Sequence, residues 1–165
     1  MRLGTCRFIV IMLAALSLSV SVGHLMELPA RAGWDQYLWV GATTQGGFFR
    51  LAGPLGVVLQ VMTLIGLIVF ALAARRRGGT GLVFIVAALA FGLGLLVWFL
   101  LVYPANVELA SWVNGPVPAT WTETRSRWEW GQALNGILQL AGFAVLVSSV
   151  TIFSWKKTKH AASKA

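Results

Sequence analysis

Four long apolar runs constrain this chain more than any other feature. They cover about residues 8–28, 51–74, 81–103 and 128–153. Each reaches about the 20 residues that a helix needs to cross a hydrocarbon core roughly 30 Å thick. In lipid a single span must satisfy its own backbone hydrogen bonds, so helix is the state these runs can adopt. A membrane barrel would instead show alternating segments of about 10 residues, and the sequence has none. Charged residues are 11% of the chain, less than half the roughly 25% usual in soluble domains. The pattern predicts an all-α, integral membrane four-helix bundle, one domain over residues 1–165. Connections at 29–50 and 104–120 lie on one side, and a tail at 154–165 on the other.

Charge gives the expected orientation. Arg2, Arg7, Arg75, Arg76, Arg77, Lys156, Lys157, Lys159 and Lys164 share one side with no acidic residue. Glu27, Asp35, Glu108, Glu123 and Glu129 fall on the other, with Arg31, Arg50, Arg125 and Arg127. By the positive-inside rule the basic side is cytoplasmic, and both termini lie there. A bacterial inner membrane fits this reading. The basic balance is therefore a topology signal and predicts a lipid bilayer, not nucleic acid, as partner. Arg2 and Arg7 before an apolar run, with Ala30-Arg31-Ala32 beyond it, have some look of a cleaved signal peptide. The run is too long and the small-residue site too distant, so a retained anchor is expected.

The connections carry their own signals. Residues 29–53 are too long for a plain turn, and Trp34, Tyr37, Leu38 and Val40 suggest a short helix lying on the membrane. Asn114, Gly115, Pro116 and Pro118 mark a loop. Thr120 and Glu123 then fit a capping box that starts the last helix near Trp121. Trp34, Trp39, Trp112, Trp121, Trp128 and Trp130 lie near the outer boundary as an aromatic belt.

Polar residues inside spans are costly and are functional candidates by default. At 100° per residue, Trp128, Glu129, Gln132, Asn135, Gly136 and Gln139 fall within an arc of about 120° on the last helix. Ser17, Ser21 and His24 share a face of the first, with Glu27 one turn beyond, and Gln60 interrupts the second. Asn106 and Glu108 follow the third. All four helices thus bring polar groups to one end. One reading is an outer-facing pocket floored by Gln60 and Gln139, with His24, Glu27, Asn106, Arg127 and Glu129 at its mouth. The other is hydrogen bonding that holds membrane helices together. Gly92-Leu93-Gly94 reads as a surface for close helix packing.

The stretches Gly23-His24-Leu25-Met26-Glu27-Leu28-Pro29, Pro104-Ala105-Asn106-Val107-Glu108-Leu109 and Arg127-Trp128-Glu129-Trp130-Gly131-Gln132 resemble small four-span bacterial membrane proteins of the anthrone-oxygenase-like family. The resemblance implies a four-helix membrane bundle and, at most, a cofactor-independent oxygenase acting on polycyclic aromatic phenols. It implies a histidine and an arginine three residues apart early in the fourth helix, where this chain has Gln132 and Asn135. In such a reaction His24, assisted by Glu27, would remove a phenolic proton, and Arg127 with Asn106 would stabilise the anion. Gln60, Trp128, Glu129, Gln132, Asn135 and Gln139 would contact the substrate.

No cofactor is expected. The chain has one cysteine and two histidines, His160 lies in the tail, and no P-loop, Rossmann glycine pattern or HExxH occurs. No span carries a central acid, which argues against a proton-coupled exporter. Two functional classes stay open. One binds, and at most oxidises, a hydrophobic aromatic or quinone-like molecule. The other is a non-catalytic partner subunit or scaffold, as a homodimer or with another membrane protein.

Overall fold

The structure is a computed structural model that describes residues 3–45, 47–75 and 79–162. Arg2, Arg76, Arg77, Gly78 and Lys164, and the side chains of Arg50, Lys156, Lys157 and Lys159, lie outside the described residues, so the charge asymmetry is only partly represented. The described residues hold no strand. In order they form α1 (Leu3–Ala32), α2 (Gln36–Gln45), α3 (Gly47–Ala74), α4 (Gly79–Val97), a π-helical turn (Trp98–Val102), α5 (Tyr103–Trp112) and α6 (Trp121–Ala162). Four segments are long and apolar enough to cross a membrane: Gly4–Ala32, Gly53–Ala74, Gly81–Trp112 and Trp121–Val150.

These spans form a ring in chain order. α1 packs on α3, α3 on α4, α4 on α6, and α6 closes back on α1. Large apolar side chains point outward along every span, among them Phe8, Met12, Val58, Ile65, Leu82, Leu89, Ile137 and Leu140. A soluble bundle would bury such residues; here lipid is their solvent.

Inside the ring are three layers. At the end where α3 stops, Val10, Ala14, Leu67, Phe70, Ala74, Phe84, Phe91 and Leu146 form a dry apolar core. Phe70 and Phe84 stack there at 4.1 Å. At the other end Trp39, Val102, Ala105, Leu109, Trp112 and Trp128 form an aromatic core, with Trp34, Trp98 and Trp121 packed around it. Between them lies a polar layer of Ser17, Ser21, Gln60, Asn135 and Gln139, all buried.

Besides Pro54 inside α3, two prolines that read as helix ends are absorbed rather than obeyed. α1 was expected to stop before Pro29, yet it continues to Ala32. Its last carbonyls are satisfied locally: Gly33 donates to Ala30 O at 3.2 Å and Trp34 to Arg31 O at 3.1 Å. The second case is Pro104, which lacks an N–H and whose ring would crowd the carbonyl four residues back. The chain widens before it, with Tyr103 N–H donating to Trp98 O, five residues back, in place of the normal four. Helix then resumes to Trp112, so half of the expected connection at 104–120 is helical. The remainder of that connection holds Asn114, Gly115, Pro116 and Pro118, outside any helix.

The other boundaries follow simple chemistry. Asp35 caps α2, its carboxylate accepting from Leu38 N–H at 2.8 Å. α6 begins at Trp121, with Glu123 in its first turn. It runs 42 residues, roughly 60 Å and twice a hydrocarbon core.

The π turn presses against α6 at Gly131. A Cβ there would lie 2.7 Å from Val102 Cγ2 and 2.9 Å from Leu101 Cβ. Gly131→Ala should therefore lower the thermal midpoint in detergent, by about 1–3 kcal/mol of overpacking. Gly23→Ala, whose Cβ meets nothing within 4 Å, should leave the midpoint unchanged or slightly raised. Equal effects of the two substitutions would contradict this packing.

Candidate functional site

The polar layer forms one hydrogen-bonded unit across the ring. Gln60 donates to Asn135 Oδ1 at 2.9 Å and to Phe91 O at 3.2 Å. Gln139 Nε2 donates to Ser21 Oγ at 2.8 Å and faces Gln60 Oε1 and Asn135 Oδ1, each at 3.2 Å. Ser17 donates to Gln139 Oε1 at 2.7 Å. Thus α1, α3 and α6 are tied together, and α4 joins through its Phe91 carbonyl. Gly94 makes the room: a Cβ there would sit 2.7 Å from Asn135 Oδ1 and 3.2 Å from Gln60 Nε2.

Above this layer opens a cavity of about 610 Å³. His24 and Ser21 face it from α1, Pro54 and Val57 from α3, Trp98 from the π turn, Tyr103 and Asn106 from α5, and Trp128 and Gln132 from α6. Thr43 of α2 contributes from above, and Gln60, Asn135 and Gln139 form the floor. Several side chains are fixed by one another. Trp128 Nε1 donates to Asn106 Oδ1 at 2.8 Å. The His24 ring meets the Trp128 edge at 5.2 Å and 83°.

Charges are gathered elsewhere. Arg31 is fully buried, and its Nε donates to Glu129 Oε1 at 2.8 Å. The same carboxylate oxygen accepts from Trp39 Nε1 at 2.7 Å. Arg31 also donates to Thr43 Oγ1 at 2.7 Å and stands 3.7 Å from Glu27. Its guanidinium lies 4.9 Å from the Trp128 ring centre, 5.0 Å from Trp34 and 5.8 Å from Trp39, within cation–π range. Arg125 closes the assembly by donating to the carbonyls of Trp34, at 2.8 Å, and Arg31. On the far side of α6, Arg127 donates to Glu108 Oε1 at 2.6 Å while Thr124 donates to Glu108 Oε2 at 2.5 Å.

Of the residues singled out in the sequence, His24, Gln60, Asn106, Trp128, Gln132, Asn135 and Gln139 line one cavity. Glu27, Arg127 and Glu129 do not line it: Glu27 and Glu129 face Arg31, and Arg127 faces Glu108. Thr43, Pro54, Trp98 and Tyr103 are cavity residues that sequence reasoning passed over. Arg31 was the larger omission. Its signal is the four-residue spacing from Glu27, which places an acid and a base on one helix face. Among the described residues no group of three or more His, Cys, Asp or Glu side chains converges to hold a metal. No protein-family model, curated protein or solved structure matches the chain.

Removing one partner of a buried ion pair leaves an uncompensated charge and costs about 3–5 kcal/mol. Arg31→Met should therefore destabilise strongly. Adding Glu129→Gln removes the stranded charge while keeping an acceptor for Trp39, and should restore part of the loss. Thermal denaturation of both variants in detergent checks this. A double variant worse than Arg31→Met alone would contradict the pairing.

Proposed function

We propose that this chain is a multi-pass protein of the bacterial inner membrane, with cytoplasmic termini, that binds a hydrophobic aromatic or quinone-like molecule in a pocket facing the outer side. One observation carries the reading. The 610 Å³ cavity has the size of a small-molecule site, with apolar and aromatic walls and a few convergent polar groups. The three segments that resemble the anthrone-oxygenase-like family support it, because each supplies cavity residues. His24 comes from the first, Asn106 from the second, and Trp128 with Gln132 from the third. An oxygenase-like step would rest on His24 as the base that removes a proton from the bound phenol, with dioxygen as oxidant.

The alternative is a non-catalytic partner subunit or scaffold. The mutual bonding of Gln60, Asn135 and Gln139 favours it, because those amides already satisfy one another.

Native mass spectrometry of the detergent-purified protein, with organic extraction, separates the two. A retained aromatic or quinone near one per chain is expected. It should be lost in Val57→Trp, which fills the cavity, while elution volume and melting stay as in the wild type. Oxygen uptake with the extracted compound then tests catalysis, and His24→Gln should abolish that uptake without loss of binding. A clean ligand-free mass, or a protein partner in place of a small molecule, would overturn the ligand reading.

A further inference from the structure

The cavity is closed on three sides and open on the fourth. Above it, α2 is pinned to the bundle by the Arg31–Thr43 and Trp39–Glu129 hydrogen bonds. Toward α1 and α6, His24 and Trp128 pack ring against ring, with Arg31 and the buried Trp39 behind Trp128. Below it lies the amide floor. The remaining wall is shared by α3 and α5, which face each other across the cavity with little direct packing between them. The cavity residues that are also exposed, Pro54, Tyr103 and Ala110, all sit on this seam. Around them the surface is apolar, with Leu51, Leu55 and Val58 on α3 and Phe99, Leu100 and Val107 along the π turn and α5.

The depth of the seam follows from helix rise. Pro54 is about 30 Å from Ala74 along α3, and Tyr103 about 33 Å from Gly81 along the opposing span. A hydrocarbon core is about 30 Å thick, so the deeper edge of the seam, at Pro54 and Tyr103, opens where acyl chains meet headgroups. Gln60 lies about 9 Å deeper.

The lining also limits the ligand's charge. Among the described residues, no Asp, Glu, Lys or Arg lines the cavity. A charged ligand would have to leave water without a counter-charge, which is costly. Hydrogen-bonding capacity is available instead. Gln132 has no side-chain hydrogen-bond partner among the described residues, and Asn106 engages Trp128 through Oδ1, which leaves its Nδ2–H groups to donate.

From this geometry we infer that the cavity is loaded sideways from the bilayer, through the seam between α3 and α5, and takes an uncharged amphipathic molecule. The ligand's carbonyl or hydroxyl head is met by Asn106 and Gln132. The inference rests on the ligand-binding reading above and adds the route and the ligand's charge.

The test uses the full chain in lipid nanodiscs with 1,4-naphthoquinone and a carboxylate derivative of the same ring, read by quenching of tryptophan fluorescence. Saturable quenching by the neutral quinone is expected, with at least tenfold weaker binding of the carboxylate. Asn106→Leu with Gln132→Leu should weaken the neutral compound tenfold or more. Apparent affinity should follow the quinone's mole fraction in lipid as the lipid content is varied. Val58→Trp, on the rim of the seam and outside the cavity lining, should slow association and dissociation together several-fold and leave Kd nearly unchanged, whereas Val57→Trp should abolish binding. Equal affinity for the carboxylate, or Val58→Trp rates equal to the wild type, would overturn the inference while leaving the pocket standing. Absence of saturable quenching by either compound would overturn the ligand-binding reading itself.

Discussion

The buried Arg31–Glu129 pair is the interaction on which the tryptophan-rich end of this bundle depends. Arg31 leaves the last turn of α1, where Pro29 has already removed one backbone donor, and reaches inward to α6. An isolated buried charge is prohibitively costly, so its surroundings must be built to match. Glu129 supplies the opposite charge, Thr43 an acceptor, and Trp34 and Trp128 the aromatic faces. Satisfying one guanidinium therefore ties α1, α2 and α6 into one unit. It also carries α2 across the top of the cavity, which gives a helix of only ten residues a fixed position that its own propensity would not supply.

Below that unit the polar layer imposes a second demand. Amides inside a span gain only about 0.6–2 kcal/mol per interhelical hydrogen bond, but leaving one unpaired costs more. Gln60, Asn135 and Gln139 meet this demand jointly, and they can meet only because Gly94 has no side chain. The site end differs from the dry Phe70–Phe84 end for the same reason. Apolar residues fill volume by shape alone, whereas amides require particular partners in particular directions, so the polar layer fixes how the four spans are rotated relative to one another.

The bundle itself is legible in the sequence, because four runs that water will not tolerate have one solution in lipid. Much of the cavity is legible too. Helical periodicity puts Trp128, Gln132, Asn135 and Gln139 within a 60° arc, and all four line it. Glu129 stands a further 60° round the same helix, at the margin of the stripe, so it faces α1 and Arg31 instead. No helical wheel can show which neighbour lies beyond each margin. Prolines hid the rest. Pro29 and Pro104 read as helix ends, yet in one case local carbonyl partners and in the other a π turn let the helix continue. That continuation brings Arg31 inward and carries Tyr103 and Asn106 to the cavity wall.

The same geometry narrows the chemistry the pocket can perform. Oxygenation through a phenolate places negative charge on bound substrate, and enzymes that stabilise such charge aim preorganised donors or cations at it. Arg31 faces Glu129, and Arg127 faces Glu108, both outside the cavity lining. What lines the cavity is His24 and neutral polar groups, the amides together with the hydroxyl side chains Ser21, Thr43 and Tyr103. A developing anion would then depend on Asn106 and Gln132, and on transfer of its proton to an imidazole close by, where the ion pair stays internal to the site. Such a site favours a substrate whose charge is delocalised over several rings, because spread charge needs least from each donor. It disfavours a compact anion. Under the proposed oxygenase-like reading, the preference for an extended aromatic substrate would follow from where the arginines are held.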